Sequence, residues 1–207
     1  IMKLKICGMK YDSNIKEVLN LRPNYIGFIF WKNSHRYVVN TPSIPNQIIK
    51  TGVFVDSPID KVISIVENHN LKAIQLHGNE NPELCLNLKK NLNVEIIKAF
   101  NVDNYFDFNK TKLYLDSCDY FLFDSKGELP GGNGFSFKWE ILRNYNYKKP
   151  FFISGGISLD NISDIKFLKE YKLPVHCVDV NSKFESKIGY KKIDDLKKLI
   201  KILNNEL

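Results

Sequence analysis

The chain has 207 residues, of which 43% are hydrophobic and 26% are charged, and its formal net charge at pH 7 is +7. This composition excludes a disordered chain, and no apolar stretch approaches the roughly 20 residues that a membrane-spanning helix needs. We therefore expect no membrane partner, and the length predicts one compact domain over residues 1–207.

The basic charge and the cysteines narrow the choice of partner and compartment. Many lysines fall in helical patterns such as KKIDDLKKLIKIL, and basic patches with interleaved aromatic residues are not evident, so we expect no nucleic-acid partner. A positive field would serve a small anionic substrate equally well. The four cysteines lie far apart and form no CxxC pair, which argues against a zinc site and a disulfide framework. The expected setting is the cytoplasm or an organelle stroma.

Short runs rich in β-branched and aromatic residues recur along the chain, and most are continuously apolar, which is typical of strands buried on both faces. In chain order they are KLKIC, YIGFIF, TGVFV, KAIQLHG, VEIIKAF, DYFLFD, PFFISGG and VHCVDVNS. Helix signals lie between them. SPIDKVISIVENHN predicts a helix with Ser57 as the N-cap and Pro58 at the first helical position. NPELCLNLKKNL predicts another, with Asn81 as the N-cap and Pro82 at the first helical position. The segment 101–117 shows only weak helical periodicity.

The end of the chain and the spacing of the strands indicate the fold. Leu196, Leu199 and Leu203 share one side of a final helix whose other side carries lysines. Strands recur at intervals of roughly 20 to 30 residues, which is the length that a strand, a helix and two loops require. An open doubly wound sheet and a closed barrel both fit this alternation. The strand count and the lack of GxGxxG in the first loop favour an α/β fold, a single-domain (β/α)8 TIM barrel of the phosphate-binding type.

Polar residues and glycines that interrupt an apolar run at its end are the candidate functional residues, because the carboxyl ends of barrel strands form the working face. In chain order these are Cys7, Arg36, Gln75, His77, Lys98, Asp124, Gly155, Gly156, Asp179 and Ser182. We expect them to converge on one mouth of the barrel.

Cys7 and Asp124 are the predicted catalytic pair. Asp124 ends the run YFLFD, where burial would keep a carboxyl group protonated and able to act as a general acid. The thiol of Cys7 has an ordinary pKa of about 8.5, which falls in cationic surroundings, so its thiolate is the matching general base. Each residue alone also fits a core position or a capped turn, but together they face each other across the mouth.

Two segments at the ends of strands predict an anion site. ISGGIS follows the seventh strand and DVNSKFE follows the eighth, where backbone N–H groups and a short helix would meet a phosphate. KGELPGGNGFSF follows the sixth strand and fits either a lid over a ligand or a plain surface loop.

In this order the segments resemble the phosphoribosylanthranilate isomerases of tryptophan biosynthesis. KICGM, QLHGNE and PGGNGFSFKW carry a resemblance that extends over essentially the whole chain. It implies a (β/α)8 barrel and an Amadori rearrangement of N-(5-phosphoribosyl)anthranilate to 1-(2-carboxyphenylamino)-1-deoxyribulose 5-phosphate, an aldose–ketose isomerisation. It further implies that Asp124 protonates the ribose ring oxygen, that Cys7 removes a proton from the second sugar carbon, and that no cofactor or metal takes part.

The resemblance also implies the substrate contacts. The substrate-binding residues it implies are Arg36, Gly132, Gly134, Gly155, Gly156, Ser182 and Lys183. Arg36 matches the residue that holds the anthranilate carboxylate, which suits a planar guanidinium. Lys183 replaces a glycine beside the phosphate, and a positive φ there would be strained. The implied partner is a small anionic phosphosugar–anthranilate substrate, and the chain would be a monomer or a homodimer.

Two alternatives remain open from the residues alone. Another phosphosugar-binding barrel enzyme, of the indole-glycerol-phosphate synthase or histidine-pathway isomerase type, should carry lysine and glutamate pairs or two aspartates at its strand ends, and Cys7 argues against it. In a non-catalytic barrel that binds an anion or a nucleic acid, Cys7 and Asp124 would be incidental.

Overall fold

A computed structural model describes residues 2–125 and 139–205. Eight parallel strands close into a barrel in sequence order, and β1 pairs with β8 to complete it. The strands are β1 (Lys3–Ile6), β2 (Tyr25–Ile29), β3 (Ile49–Phe54), β4 (Ala73–Leu76), β5 (Glu95–Val102), β6 (Tyr120–Ser125), β7 (Phe151–Ile153) and β8 (Val175–Val180). The predicted TIM barrel is confirmed, and the open sheet is excluded.

Helices and short 3-10 segments follow the strands. The α-helices are α1 (Asp12–Asn20), α2 (Ile59–His69), α3 (Pro82–Asn91), α4 (Phe167–Glu170) and α5 (Ile193–Asn205). The 3-10 segments are Phe108–Tyr114, Trp139–Asn144, Ile162–Lys166 and Ser182–Phe184, and a hairpin of β9 (Glu185–Lys187) and β10 (Tyr190–Lys191) precedes α5. No helix within the described ranges has the length and hydropathy of a membrane span.

The helix ends test the predicted caps. The side chain of Asn81 accepts a hydrogen bond from the Leu84 N–H at 2.8 Å, which confirms it as the N-cap of α3. The predicted cap at Ser57 is wrong, because α2 begins one residue later, with Pro58 at the N-cap. The Ser57 hydroxyl turns back towards the Val55 carbonyl, 3.5 Å away.

The weakly periodic segment 101–117 forms a 3-10 helix over Phe108–Tyr114 and no α-helix. In α5, Leu196, Leu199 and Leu203 are buried as predicted. Burial of each of these leucines contributes about 1.5–3 kcal/mol, which holds the helix on the barrel.

The barrel interior changes character along its axis. Seven buried residues from the strands form an inner cluster, namely Tyr25, Ala73, Ile97, Ala99, Leu122, Phe152 and Cys177. Successive inward positions on a strand are two residues apart. One such step beyond Cys177, Ala73 and Leu122 lie Asp179, Gln75 and Asp124. The interior therefore becomes polar towards the carboxyl ends of the strands.

Candidate active site

A cavity opens at the carboxyl ends of the strands. It is lined by six of the candidate residues, namely Cys7, Arg36, Gln75, His77, Asp124 and Asp179. Trp31, Ser154 and Asn181 also line it, together with a few apolar side chains. The structure thus brings together residues that follow or end five different strands.

Two glycines make room for Cys7, which directly follows β1. A Cβ at Gly27 would lie 2.6 Å from the Cys7 sulfur, so Gly27 leaves the space that the thiol occupies. Gly8 has φ of +75°, and a Cβ there would lie 2.6 Å from Asn181 Oδ1 and 2.7 Å from Arg36 Cδ. Only glycine adopts this φ readily, so Gly8 turns the chain away at the point where the sulfur faces the cavity.

The electrostatic surroundings of Cys7 are mixed. Burial raises the pKa of Cys7 above its ordinary value, whereas the charge of Lys5 and, more weakly, that of Lys191 act to lower it. Asp179 acts in the same direction as burial. The expected cationic neighbours are present, but the predicted net fall of the pKa is wrong because burial outweighs them.

A chain of polar contacts connects the two sides of the cavity; we call it the Lys5–Asp124 network. The Lys5 ammonium donates to Asp179 Oδ2 at 2.8 Å and to Gln75 Oε1 at 2.7 Å. Gln75 Nε2 lies 2.7 Å from His77 Nδ1, and His77 Nε2 lies 3.3 Å from Asp124 Oδ2. The network therefore runs from β1, which Cys7 directly follows, to the carboxyl group of Asp124.

The network also determines the tautomer of His77. Lys5 can only donate, so the amide oxygen of Gln75 faces Lys5 and the amide N–H faces His77 Nδ1. The Nδ1 atom must then accept, which places the ring proton of neutral His77 on Nε2, towards Asp124. The other carboxylate oxygen of Asp124 accepts from the Ser125 N–H at 2.9 Å.

Arg36 is held by a buried ion cluster. Its Nε and Nη2 atoms donate to the two oxygens of Glu185, at 2.9 Å and 2.7 Å. Lys191 Nζ donates to Glu185 Oε1 and to Asn181 Oδ1, both at 2.7 Å. Burial acts to raise the pKa of Glu185, but these hydrogen bonds and charges outweigh it and lower the pKa. Burial lowers the pKa of Lys191 to about 8, against the opposing effect of Glu185.

The predicted phosphate residues lie at the same end of the barrel but outside the residues that line the cavity. Gly155 and Gly156 follow β7 with φ of +92° and +67°, and a Cβ on Gly155 would collide with Ser125. Ser182 and Lys183 lie in the 3-10 segment after β8, and Lys183 does not have the positive φ that would strain it. Gly132 and Gly134, the predicted lid residues, lie outside the described residues.

Lys98 does not line the cavity. Its ammonium donates to Glu80 Oε2 at 2.9 Å and to the carbonyl oxygens of Gly78 and Leu76, at 2.8 Å and 3.2 Å. It therefore fixes the loop after β4, in which His77 lies. The prediction that Lys98 lines the mouth is therefore wrong, because its ammonium points into this loop.

Sequence reasoning missed Lys5, Lys191 and Glu185 as parts of the site. Lys5 carried a usable signal, since it stands two residues before Cys7 and so shares its inward face. Glu185 and Lys191 lie on β9 and β10, and only the folded hairpin brings them to Arg36.

The chain matches the family model for PRAI, N-(5'-phosphoribosyl)anthranilate (PRA) isomerase, over residues 4–204. The N-(5'-phosphoribosyl)anthranilate isomerase of Parabacteroides distasonis is 40% identical over 206 residues, which cover 96% of this chain and 92% of the relative.

Solved structures are similar over nearly the whole chain. The phosphoribosyl anthranilate isomerase of Thermus thermophilus has a TM-score of 0.83 at 22% identity, with 98% of each chain covered, which is a likeness of fold. Another phosphoribosyl anthranilate isomerase, in complex with reduced 1-(o-carboxyphenylamino)-1-deoxyribulose 5-phosphate, has a TM-score of 0.76 at 25% identity, with 97% of each chain covered.

Proposed function

Since the chain belongs to the N-(5'-phosphoribosyl)anthranilate (PRA) isomerase family, we propose that Cys7 and Asp124 divide the proton transfers of its reaction. The chain isomerises N-(5'-phosphoribosyl)anthranilate to 1-(2-carboxyphenylamino)-1-deoxyribulose 5-phosphate, an Amadori rearrangement of tryptophan biosynthesis. One observation carries the choice of residues. Cys7 after β1 and Asp124 on β6 line the same cavity from strands that are not neighbours.

Asp124 is the acid of the first step. It gives its proton to the ribose ring oxygen as the bond from that oxygen to the anomeric carbon breaks, and the nitrogen lone pair forms an iminium. The carboxylate left behind accepts a hydrogen bond from the Ser125 N–H at 2.9 Å, and His77 Nε2 lies 3.3 Å from it without a hydrogen bond. A donor that is already aimed at a developing negative charge, as the Ser125 N–H is, lowers the barrier to forming that charge.

Cys7 is the base of the second step. Its thiolate removes the proton from the second sugar carbon, and the electrons of that C–H bond neutralise the iminium to give an enolamine. The enolamine becomes the ketone by gaining a proton at the anomeric carbon and losing the hydroxyl proton at the second carbon. The proton that Asp124 gives is matched by the one that Cys7 removes, so the reaction is an isomerisation without net proton uptake. Lys5 and Lys191 supply the positive charge near the sulfur that a thiolate needs.

Substrate binding is proposed to divide between two sides of the mouth. Arg36 binds the anthranilate carboxylate. Glu185 fixes the orientation of the planar guanidinium through Nε and Nη2, and Nη1 donates to none of the described residues. The positive-φ backbone of Gly155 and Gly156 offers N–H groups to the phosphate. Ser182 and Lys183 extend that anion site, and Gly132 and Gly134 are proposed to belong to a loop that covers it.

We further propose that residues 1–207 form one domain that acts as a monomer or homodimer on this small anionic substrate, without a nucleic-acid partner. A cytoplasmic setting is proposed because all four cysteines are buried free thiols. Light scattering during size-exclusion chromatography would measure the oligomeric state.

The experiment that tests the roles is the loss of substrate fluorescence after purified protein is added to freshly made phosphoribosylanthranilate. Cys7→Ser and Asp124→Asn should each lower kcat by about 10²- to 10⁴-fold, the usual contribution of a positioned acid or base. Cys85→Ser is the matched control, since Cys85 is a buried thiol on α3 outside the cavity, and it should keep kcat. Activity that survives both active-site substitutions would contradict the assignment.

A further inference from the structure

Lys5 and Asp179 form an ion pair in the interior of the barrel. Their side chains are 0% and 5% exposed, and the ammonium lies 2.8 Å from Asp179 Oδ2. A buried ion pair is weak evidence for stability, because well-packed apolar residues of similar volume often serve equally well. The neighbouring layer of the barrel is built in this apolar way. The charge on Lys5 therefore calls for an explanation other than packing.

The position of Lys5 supplies one. Lys5 precedes Cys7 by two residues, so the two side chains occupy successive inward positions. An ammonium has three N–H groups, of which two are taken by Asp179 and Gln75. The third remains for Cys7, on whose sulfur the Lys5 charge acts.

The other charged groups near Cys7 come from several elements. Lys191 on β10 also acts on the sulfur, but its ammonium is committed to Glu185 on β9 and to Asn181. Arg36, after β2, is likewise paired with Glu185. The remaining titratable groups that line the same cavity are His77 after β4, Asp124 on β6 and Asp179 on β8. Lys5 is thus the cation that the fold places directly on the strand of the base.

We propose that Lys5 is a positioning residue that stabilises the Cys7 thiolate, and that Asp179 limits this effect by competing for the same ammonium. When Cys7 accepts the substrate proton, the Lys5–Asp179 pair remains as a neutral unit, so no unpaired charge is left in the barrel. Without Asp179, the ammonium would turn its full charge to the sulfur and give a more stable but weaker base. The inference rests on Cys7 being the catalytic base.

The test measures the thiolate directly. Far-ultraviolet thiolate absorbance is followed against pH, and the signal of the Cys7→Ser variant is subtracted, so that the difference belongs to Cys7. Lys5→Met should move the midpoint to higher pH and Asp179→Asn should move it to lower pH, each by about one unit or more, whereas Lys5→Arg should restore it. Loosening of the structure would not move the two midpoints in opposite directions.

Two further variants keep the result decisive. Lys98→Met removes another buried, carboxylate-paired lysine that does not act on Cys7, and should leave the midpoint unchanged. If Lys5→Met fails to fold, the double variant Lys5→Met/Asp179→Leu removes both charges without leaving one unpaired. Its midpoint should lie above that of Asp179→Asn. Shifts in the same direction, or no shift, would overturn the proposal.

The pH profile of kcat/KM distinguishes the role of Cys7 as the base from the electrostatic role of Lys5. If Cys7 is the base, the acid limb of the profile should move with the thiolate midpoint in each variant. A midpoint that shifts while the kinetic profile stays fixed would reject Cys7 as the base and leave the electrostatic role of Lys5 intact.

Discussion

Glu185 is the carboxylate on which two buried or half-buried cations depend, and Glu185→Gln tests that dependence. Its side chain is 5% exposed, Lys191 is 0% exposed, and Arg36 is 14% exposed. The amide keeps the shape of the side chain but removes its charge, which leaves a fully buried ammonium without a carboxylate. Breaking a buried pair in this way costs about 3–5 kcal/mol. In a domain of this size each kcal/mol lowers Tm by about 2–4 °C, so the expected fall is about 6–20 °C.

The assay is thermal and denaturant unfolding of the parent and the variant at the same pH, together with KM for the substrate. KM should rise more than kcat falls, because Arg36 loses the partner that fixes its fork but the acid and the base are untouched. Asp195→Asn is the matched carboxylate-to-amide control. Asp195 pairs with the exposed Lys192 and Lys198, so its substitution should cost less than about 1 kcal/mol. An equally small effect for Glu185→Gln would refute the dependence of Lys191 and Arg36 on this carboxylate.

Two more substitutions test the site. Gly27→Ala places a Cβ 2.6 Å from the Cys7 sulfur and 3.1 Å from its Cα, so the base must shift, and kcat/KM should fall by about a hundredfold; unchanged kinetics would contradict this. For Lys191→Met the prediction concerns pH. The folded pKa of Lys191 is depressed from 10.5 to about 8, so between these values the unfolded chain binds more protons and this lysine makes stability rise with pH. Denaturant unfolding at several pH values should show that the variant lacks this rise, and parallel curves for parent and variant would exclude it.

The barrel could be predicted from the sequence because its signals are local. Eight apolar runs, helix patterns between them and even spacing leave few topologies, and the structure has the closed one. The cap at Asn81 follows from a side chain that reaches a backbone N–H three residues away. The cap at Ser57 failed because Ser and Pro in succession fit two helix starts that differ by one residue, and the sequence does not separate them.

The polar interior of the site was harder to predict because its contacts span the whole chain. Lys5 bonds to Asp179 across 174 positions, and Arg36 bonds to Glu185 across 149. A lysine that alternates with apolar residues, as in KLKIC, also fits a strand with one solvated face. Only closure of the barrel turns that face inward.

The charges around the cavity nearly cancel, and this balance constrains how an anionic substrate can bind. Lys5 is matched by Asp179, and Lys191 by one oxygen of Glu185. Arg36 shares Glu185 with Lys191, so this cluster has two cations for one carboxylate. Within this ion cluster the surplus is a single positive charge, which suits a single carboxylate such as the one that the anthranilate ring is proposed to bring.

A phosphate dianion therefore needs charge from another part of the mouth. Gly155 and Gly156 can offer N–H groups from a positive-φ backbone, but these dipoles carry no net charge. Lys183 lies in the 3-10 segment after β8, at the same end of the barrel, and in the proposed arrangement its ammonium supplies that charge. The backbone of Lys183 has no positive φ, so a lysine is not strained at this position. In the proposed arrangement Lys183 thus adds a cation for the phosphate without taking part in the ion pairs near Cys7.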